Sequence, residues 1–166
     1  MATALLITRD DIVKLTALGG NVDADKFIQF VKIAQDIHIQ NYLGTKLLEK
    51  VQSDIIASTL TGDYQTLVER YVKPMLIHWA MVEYLPFAAY TIANKGVYKH
   101  SSENSENVEK NEIDFLIEKE RSIAQNYTER FIDYITFNQG LFPEYYLNSN
   151  GDVYADTRNN NQGWYL

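Results

Sequence analysis

His78 and Glu83 are the residues of this sequence whose types suit proton transfer, since a histidine beside a carboxylate is a common acid–base pair. They stand five positions apart in an apolar stretch. A helix brings positions i and i+4 together more readily than i and i+5, so the spacing favours two polar groups satisfied beside a core over a working dyad. The three histidines, His38, His78 and His100, fall on separate predicted elements, with neither H-E-x-x-H nor the Glu-x-x-His pairing that di-iron bundles require. No cysteine occurs, which excludes disulfides, thiolate zinc sites and cysteine nucleophiles. The expectation is a chain with no catalytic residues, no cofactor and no metal.

Asn148, Asn150 and Asp152 mimic part of a calcium loop. With Gly151 at the sixth position, however, Tyr146 falls at the first and Thr157 at the twelfth, where carboxylates are needed. Asn126-Tyr127-Thr128 is a formal glycosylation sequon inside a predicted helix and is read as chance. The sequence holds no G-x-G-x-x-G, P-loop or G-x-S-x-G.

The 166 residues carry a formal charge of -7, which argues against a general nucleic-acid binder, because phosphate neutralisation needs clustered Lys and Arg. A DNA-binding regulator has one opening, the helix–glycine–helix order of "IVKLTALGGNVDADKFIQFVKI". Its would-be recognition helix begins with Asp23 and Asp25, which present the wrong sign to phosphates and base edges. The run from Met75 to Ala93 is apolar enough to raise a membrane span but contains His78, Glu83 and Pro86. A carboxylate near the centre of a span costs about 2.5–3.5 kcal/mol, so a buried core helix is predicted and no membrane partner. "MATALLITRDD" lacks the basic region and long apolar run of a secretory signal, so synthesis in the cytoplasm is expected.

The elements that carry these residues read as helices first and an arm last. Thr8 with Asp11 resembles a capping box opening a short helix that stops at Gly19-Gly20. Phe27, Phe30, Val31, Ala34, His38 and Tyr42 recur at spacings of three and four and predict an amphipathic helix that Gly44 ends. "TKLLEKVQSDIIAS" restarts as another helix until Thr61-Gly62 breaks it. From Asp63 the pattern resumes, with a kink expected at Pro74. Residues 75–93, apolar on every face, are assigned to the middle of the bundle. Residues 94–108 lose periodicity and read as a long polar loop. The helix that follows shows an apolar stripe of Ile113, Leu116, Ile123, Tyr127, Phe131 and Tyr134, interrupted by Glu120. The predicted fold is therefore a mainly α helical bundle with a central hydrophobic helix, in a domain of residues 1–143.

Residues 144–166 are assigned to a C-terminal hairpin and extended arm. Tyr145 to Leu147 and Val153-Tyr154 flank Asn150-Gly151, a pair favoured in tight turns. Asn-rich residues then lead to Trp164, Tyr165 and Leu166. Aromatic side chains supply interface area at low entropic cost, so Tyr145, Tyr146, Tyr154, Trp164, Tyr165 and Leu166 are the candidate subunit or partner interface. Docking on another subunit is favoured over packing on the chain's own domain.

The order of "DKFIQFVKIAQDIHIQNYLGTKLLEKV", the central "YVKPMLIHWAMVEYLPF", a polar loop, a long charged helix and an extended arm resembles head-tail connector proteins of tailed bacteriophages, with ring proteins of crAss-like phages nearest in flavour. The similarity covers most of residues 5–140 and rests on hydrophobic patterning around "YLGTKLL". It implies a structural virion protein, made in the host bacterial cytoplasm, that forms a homo-oligomeric ring of twelve copies at the head-tail interface. Its implied partners are itself, the portal protein and the next tail-side ring protein, with DNA only a passing, non-specifically contacted substrate. No catalytic residue carries over. Two other classes stand beside it: a cellular helical protein–protein interaction module, and an acid–base enzyme built on His78 and Glu83.

Overall fold

The structure, a computed structural model, describes residues 3–16, 24–88, 90–93, 96–99, 110–147 and 152–157. Helix α1, Arg9–Leu15, opens with the predicted capping box: the Thr8 side chain accepts the Asp11 amide and the Asp11 carboxylate accepts the Thr8 amide. Helix α2, Ala24–Ala34, passes through a π-helical turn, Gln35–Ile39, into α3, Gln40–Ile56. Gln35 opens that turn fully buried. Its amide accepts the Leu6 N–H at 3.0 Å and donates to the Ala4 carbonyl at 3.0 Å, which fastens the N-terminal segment to the bundle.

Helix α4, Gly62–Leu67, a second π-helical turn, Val68–Val72, and α5, Lys73–Ala88, follow without a break. Pro74 lies in the first turn of α5. The kink expected there takes the form of the wider π turn just ahead, which accommodates a residue with no amide hydrogen. Met75, Leu76, Ile77, Trp79, Ala80, Met81 and Val82 are buried on every side of α5, which packs against α2, both π turns and α6. The chain is a mainly α bundle around a central hydrophobic helix, as the all-round apolar pattern predicts.

Helix α5 is shorter than predicted. It ends at Ala88, and Tyr90–Ala93 forms strand β1, paired antiparallel with β2, Gly96–Lys99, in the register Tyr90 with Lys99 and Ala93 with Gly96. Thr91, Ile92, Val97 and Tyr98 are β-branched or aromatic, and these preferences prevail once Pro86 has weakened the helical ladder. Residues 96–99 are thus strand, while 94–95 and 100–108 of the predicted loop lie outside the described residues.

Helix α6, Lys110–Phe137, is 28 residues long and spans about 42 Å. Its buried positions are Ala124, Thr128, Phe131, Ile132 and Ile135. The predicted stripe begins too early: Leu116 is exposed, with Phe115 beside it, and burial starts one turn before Thr128. After a 3-10 turn at Gln139–Leu141, α7 covers Pro143–Tyr146. This corrects the hairpin at its first strand, Tyr145 to Leu147, whose first two residues are helical. Pro143 presets the first helical dihedral, and Tyr145 turns inward against Phe131 instead of entering a strand. The expected turn, 148–151, lies outside the described residues. Among the described residues, no helix is long and apolar enough to cross a membrane.

Candidate functional site

The two residues with acid–base potential do not meet. On a helix, positions five apart point roughly 140° away from each other. His78 instead pairs through Nδ1 with Glu120 Oε2 of α6 at 2.7 Å, and its ring stacks on Tyr127, 7° from parallel. Glu83 pairs with His38 Nε2 at 2.8 Å. The His38 ring stacks on Trp79 with centroids 4.1 Å apart, and the Trp79 indole N–H donates to the buried Thr128 hydroxyl at 3.1 Å. Each histidine therefore ties α5 to a neighbouring element through one carboxylate and one ring face. Glu120, which interrupts the apolar stripe of α6, is there to receive His78. Among the described residues, no group of three or more His, Asp or Glu side chains is close enough to hold a metal ion. His100, Asn148 and Asn150 lie outside the described residues.

The arm makes a different and more informative site. Gly44 breaks α3 with φ 74° and ψ 158°, a region open essentially to glycine alone. In an unbroken helix the Thr45 amide would donate to the Asn41 carbonyl. Here both groups serve the arm: the Thr45 N–H donates to the Val153 carbonyl at 3.1 Å, and the Asp156 N–H donates to the Asn41 carbonyl at 2.7 Å. The Val153 N–H also donates to Thr45 Oγ1 at 3.2 Å, and Gln40 donates to the same oxygen at 3.0 Å. The arm thus replaces one missing helical hydrogen bond with two of its own. A Cβ on Gly44 would lie 3.0 Å from the Ala155 amide nitrogen, so the arm passes where only glycine leaves room.

Around this joint, burial raises the Tyr42 pKa and the Asp156 carboxylate raises it further. Tyr145 is also raised, first by burial, then by Tyr146 and Asp156. His38, Asn41 and Tyr42 form one wall of a cleft, and Tyr154 to Thr157 form the other. Helix α7 is secured beside it, where the Tyr64 hydroxyl donates to Glu144 at 2.6 Å and Phe142 packs edge-on against Tyr64.

The six candidate interface residues divide. Tyr145 is buried, its hydroxyl without a partner among the described residues, and it anchors α7 to its own domain. Tyr146 and Tyr154 are exposed, at 48% and 71%. Trp164, Tyr165 and Leu166 lie outside the described residues. Sequence reading missed three further exposed apolar side chains between the end of α6 and the arm: Phe137, at 90%, Leu141 and Leu147. Phe137 closes a helix and belongs to no periodic face, so periodicity carries no sign of it. The first part of the arm, Val153 to Asp156, is seated on the chain's own α3, contrary to the expectation that the arm docks elsewhere.

No curated protein and no solved structure matches this chain. Residues 39–155, more than half of the sequence, match a family of unknown function. That span opens in the first π turn and closes at Ala155, so it contains both sides of the Gly44 joint. The chain belongs to the family of unknown function DUF6712.

Proposed function

We propose that this protein is a structural component of a phage virion, forming a ring that connects the portal to the tail and lets DNA pass. The observation that carries this reading is the set of large apolar side chains that an otherwise well-packed bundle leaves exposed. Phe137, Leu147 and Tyr154 are 90%, 60% and 71% exposed, and interface cores draw on large apolar and aromatic side chains of this kind. The resemblance to head-tail connectors supplies the assembly: twelve copies, the portal protein on one side and the next ring protein on the other.

In this role Tyr146, Tyr154, Trp164, Tyr165 and Leu166 are interface anchors. The charge of -7 per copy suits a channel through which DNA slides without being held, since like charges repel phosphates. Proteomic quantification of purified virions, with antibody labelling of the particles, tests the assignment. A head-tail connector is expected at about a dozen copies per particle with label at the neck. Absence from washed virions, with the protein confined to the infected cell, contradicts it and favours a cellular interaction module.

A further inference from the structure

The cleft between α3 and the arm has a volume of about 480 Å³, within the range of clefts that hold small ligands or single long side chains. His38, Asn41 and Tyr42 form its helical wall, and Tyr154 and Asp156 stand on the wall made by the arm. Among the described residues, no Lys or Arg lines it. We propose that this cleft binds a guanidinium, the head of an arginine side chain presented by a partner protein, between the Asp156 carboxylate and the rings of Tyr42 and Tyr154. This deepens the reading of Tyr154 as an interface anchor and rests on that reading for the source of the arginine, whereas the cleft itself belongs to the single chain.

Two observations carry it. The arm is fixed on both sides of Tyr154, where the Val153 carbonyl accepts the Thr45 N–H and the Asp156 N–H donates to the Asn41 carbonyl. Tyr154 is nevertheless 71% exposed, so an aromatic ring is held ready on a backbone that cannot drift, and a ligand has little ordering left to do. The cleft is also electronegative. After burial, the Asp156 carboxylate on the facing wall is what raises the Tyr42 pKa. His38 brings a second carboxylate with it, since its Nε2 is 2.8 Å from Glu83. A carboxylate flanked by aromatic rings selects among cations. A planar guanidinium meets a carboxylate through two parallel N–H bonds and stacks on ring faces, whereas an ammonium is compact and strongly hydrated. A metal ion asks for more ligands than the cleft has, because among the described residues no three His, Asp or Glu side chains come close enough to share one.

The probes are N-acetylarginine methylamide and its neutral near-isostere N-acetylcitrulline methylamide, each titrated into the full chain and followed by heteronuclear NMR. The arginine probe is expected to shift the amide signals of Tyr42, Tyr154 and Asp156 and to bind about tenfold more tightly than the citrulline probe, which lacks the charge. The matching lysine probe is expected to fall between them. Asp156→Asn keeps the backbone amide that seats the arm and is expected to weaken arginine binding about tenfold, removing the preference over citrulline. Equal binding of the arginine and citrulline probes by the natural chain, or shifts confined to residues outside the cleft, would overturn the proposal without any variant having to fold. A preference retained in folded Asp156→Asn would do the same. Self-association of the free chain that excess arginine probe dissolves would put the arginine on a second copy and overturn a partner protein as its source. The titration needs neither ring nor portal, so its failure and the failure of the ring are separate results.

Discussion

Gly44 and Ala155 meet backbone to backbone: the arm crosses α3 at the one position where the helix is broken and no side chain stands in the way. Two residues 111 positions apart thereby fix the point from which the C-terminal segment departs. Gly44→Ala is expected to destabilise the fold by about 3 kcal/mol, because φ 74° with ψ 158° is strained for any residue with a Cβ and the new methyl displaces the arm. Gly62→Ala, also at positive φ but with nothing within 4 Å, is expected to cost only about 1 kcal/mol. Urea denaturation of both variants measures the difference, which combines the displaced arm with the greater backbone strain at Gly44. Equal losses would mean that neither the arm nor the backbone geometry at Gly44 adds anything.

Truncation separates the two parts of the arm. Ending the chain after Thr157 is expected to leave the melting temperature unchanged within a degree or so. Ending it after Leu147 removes the hydrogen bonds to Asn41 and Thr45 and is expected to cost about 2 kcal/mol, near 1 kcal/mol for each backbone bond. Differential scanning calorimetry of the two shortened chains checks both values.

Double-mutant cycles test the crossed histidine pairs. His78→Ala with Glu120→Gln is expected to show a coupling of about 1–2 kcal/mol, as is His38→Ala with Glu83→Gln. His78→Ala with Glu83→Gln is expected to be additive, since those side chains hold different partners. Strong coupling in the last cycle would revive the dyad.

The helices, their caps and the central place of α5 were legible in the sequence because each is set by local spacing: Thr8 with Asp11, the all-round apolar run at Met75 to Val82, the break at Gly44. What joins them was not. His78 finds Glu120 across 42 positions and Thr45 finds Val153 across 108, and no periodicity encodes such meetings. Glu120 did leave a trace, as a charge in an apolar stripe. The strands at Tyr90–Ala93 and Gly96–Lys99 were hidden by an apolar run that suits helix and strand alike, and Tyr145 and Tyr146 read as strand because aromatic residues favour both a pleated surface and a core.

Alkaline pH probes two tyrosines, Tyr145, which is buried, and Tyr64, which is partly buried. Burial raises Tyr64, and its hydrogen bond to Glu144 raises it further; burial also raises Tyr145. A group that holds its proton more tightly when folded stabilises the protein below its unfolded pKa and loses that contribution as pH climbs through the folded value. Stability is therefore expected to be flat below about pH 10, the ordinary tyrosine value, and to fall above it by up to about 1.4 kcal/mol per pH unit for each such group. Tyr145→Phe is expected to make the fall shallower. Denaturation midpoints collected from pH 8 to 11.5 give the slope.

Native mass spectrometry of the full chain, alone and mixed with a portal protein encoded in the same genome, tests the central claim most directly. A closed ring at or near twelve copies is expected on the portal, weakened when Tyr154 and Leu147 are both replaced by serine. A chain that stays monomeric at all concentrations and leaves the portal's mass unchanged would contradict a connecting ring.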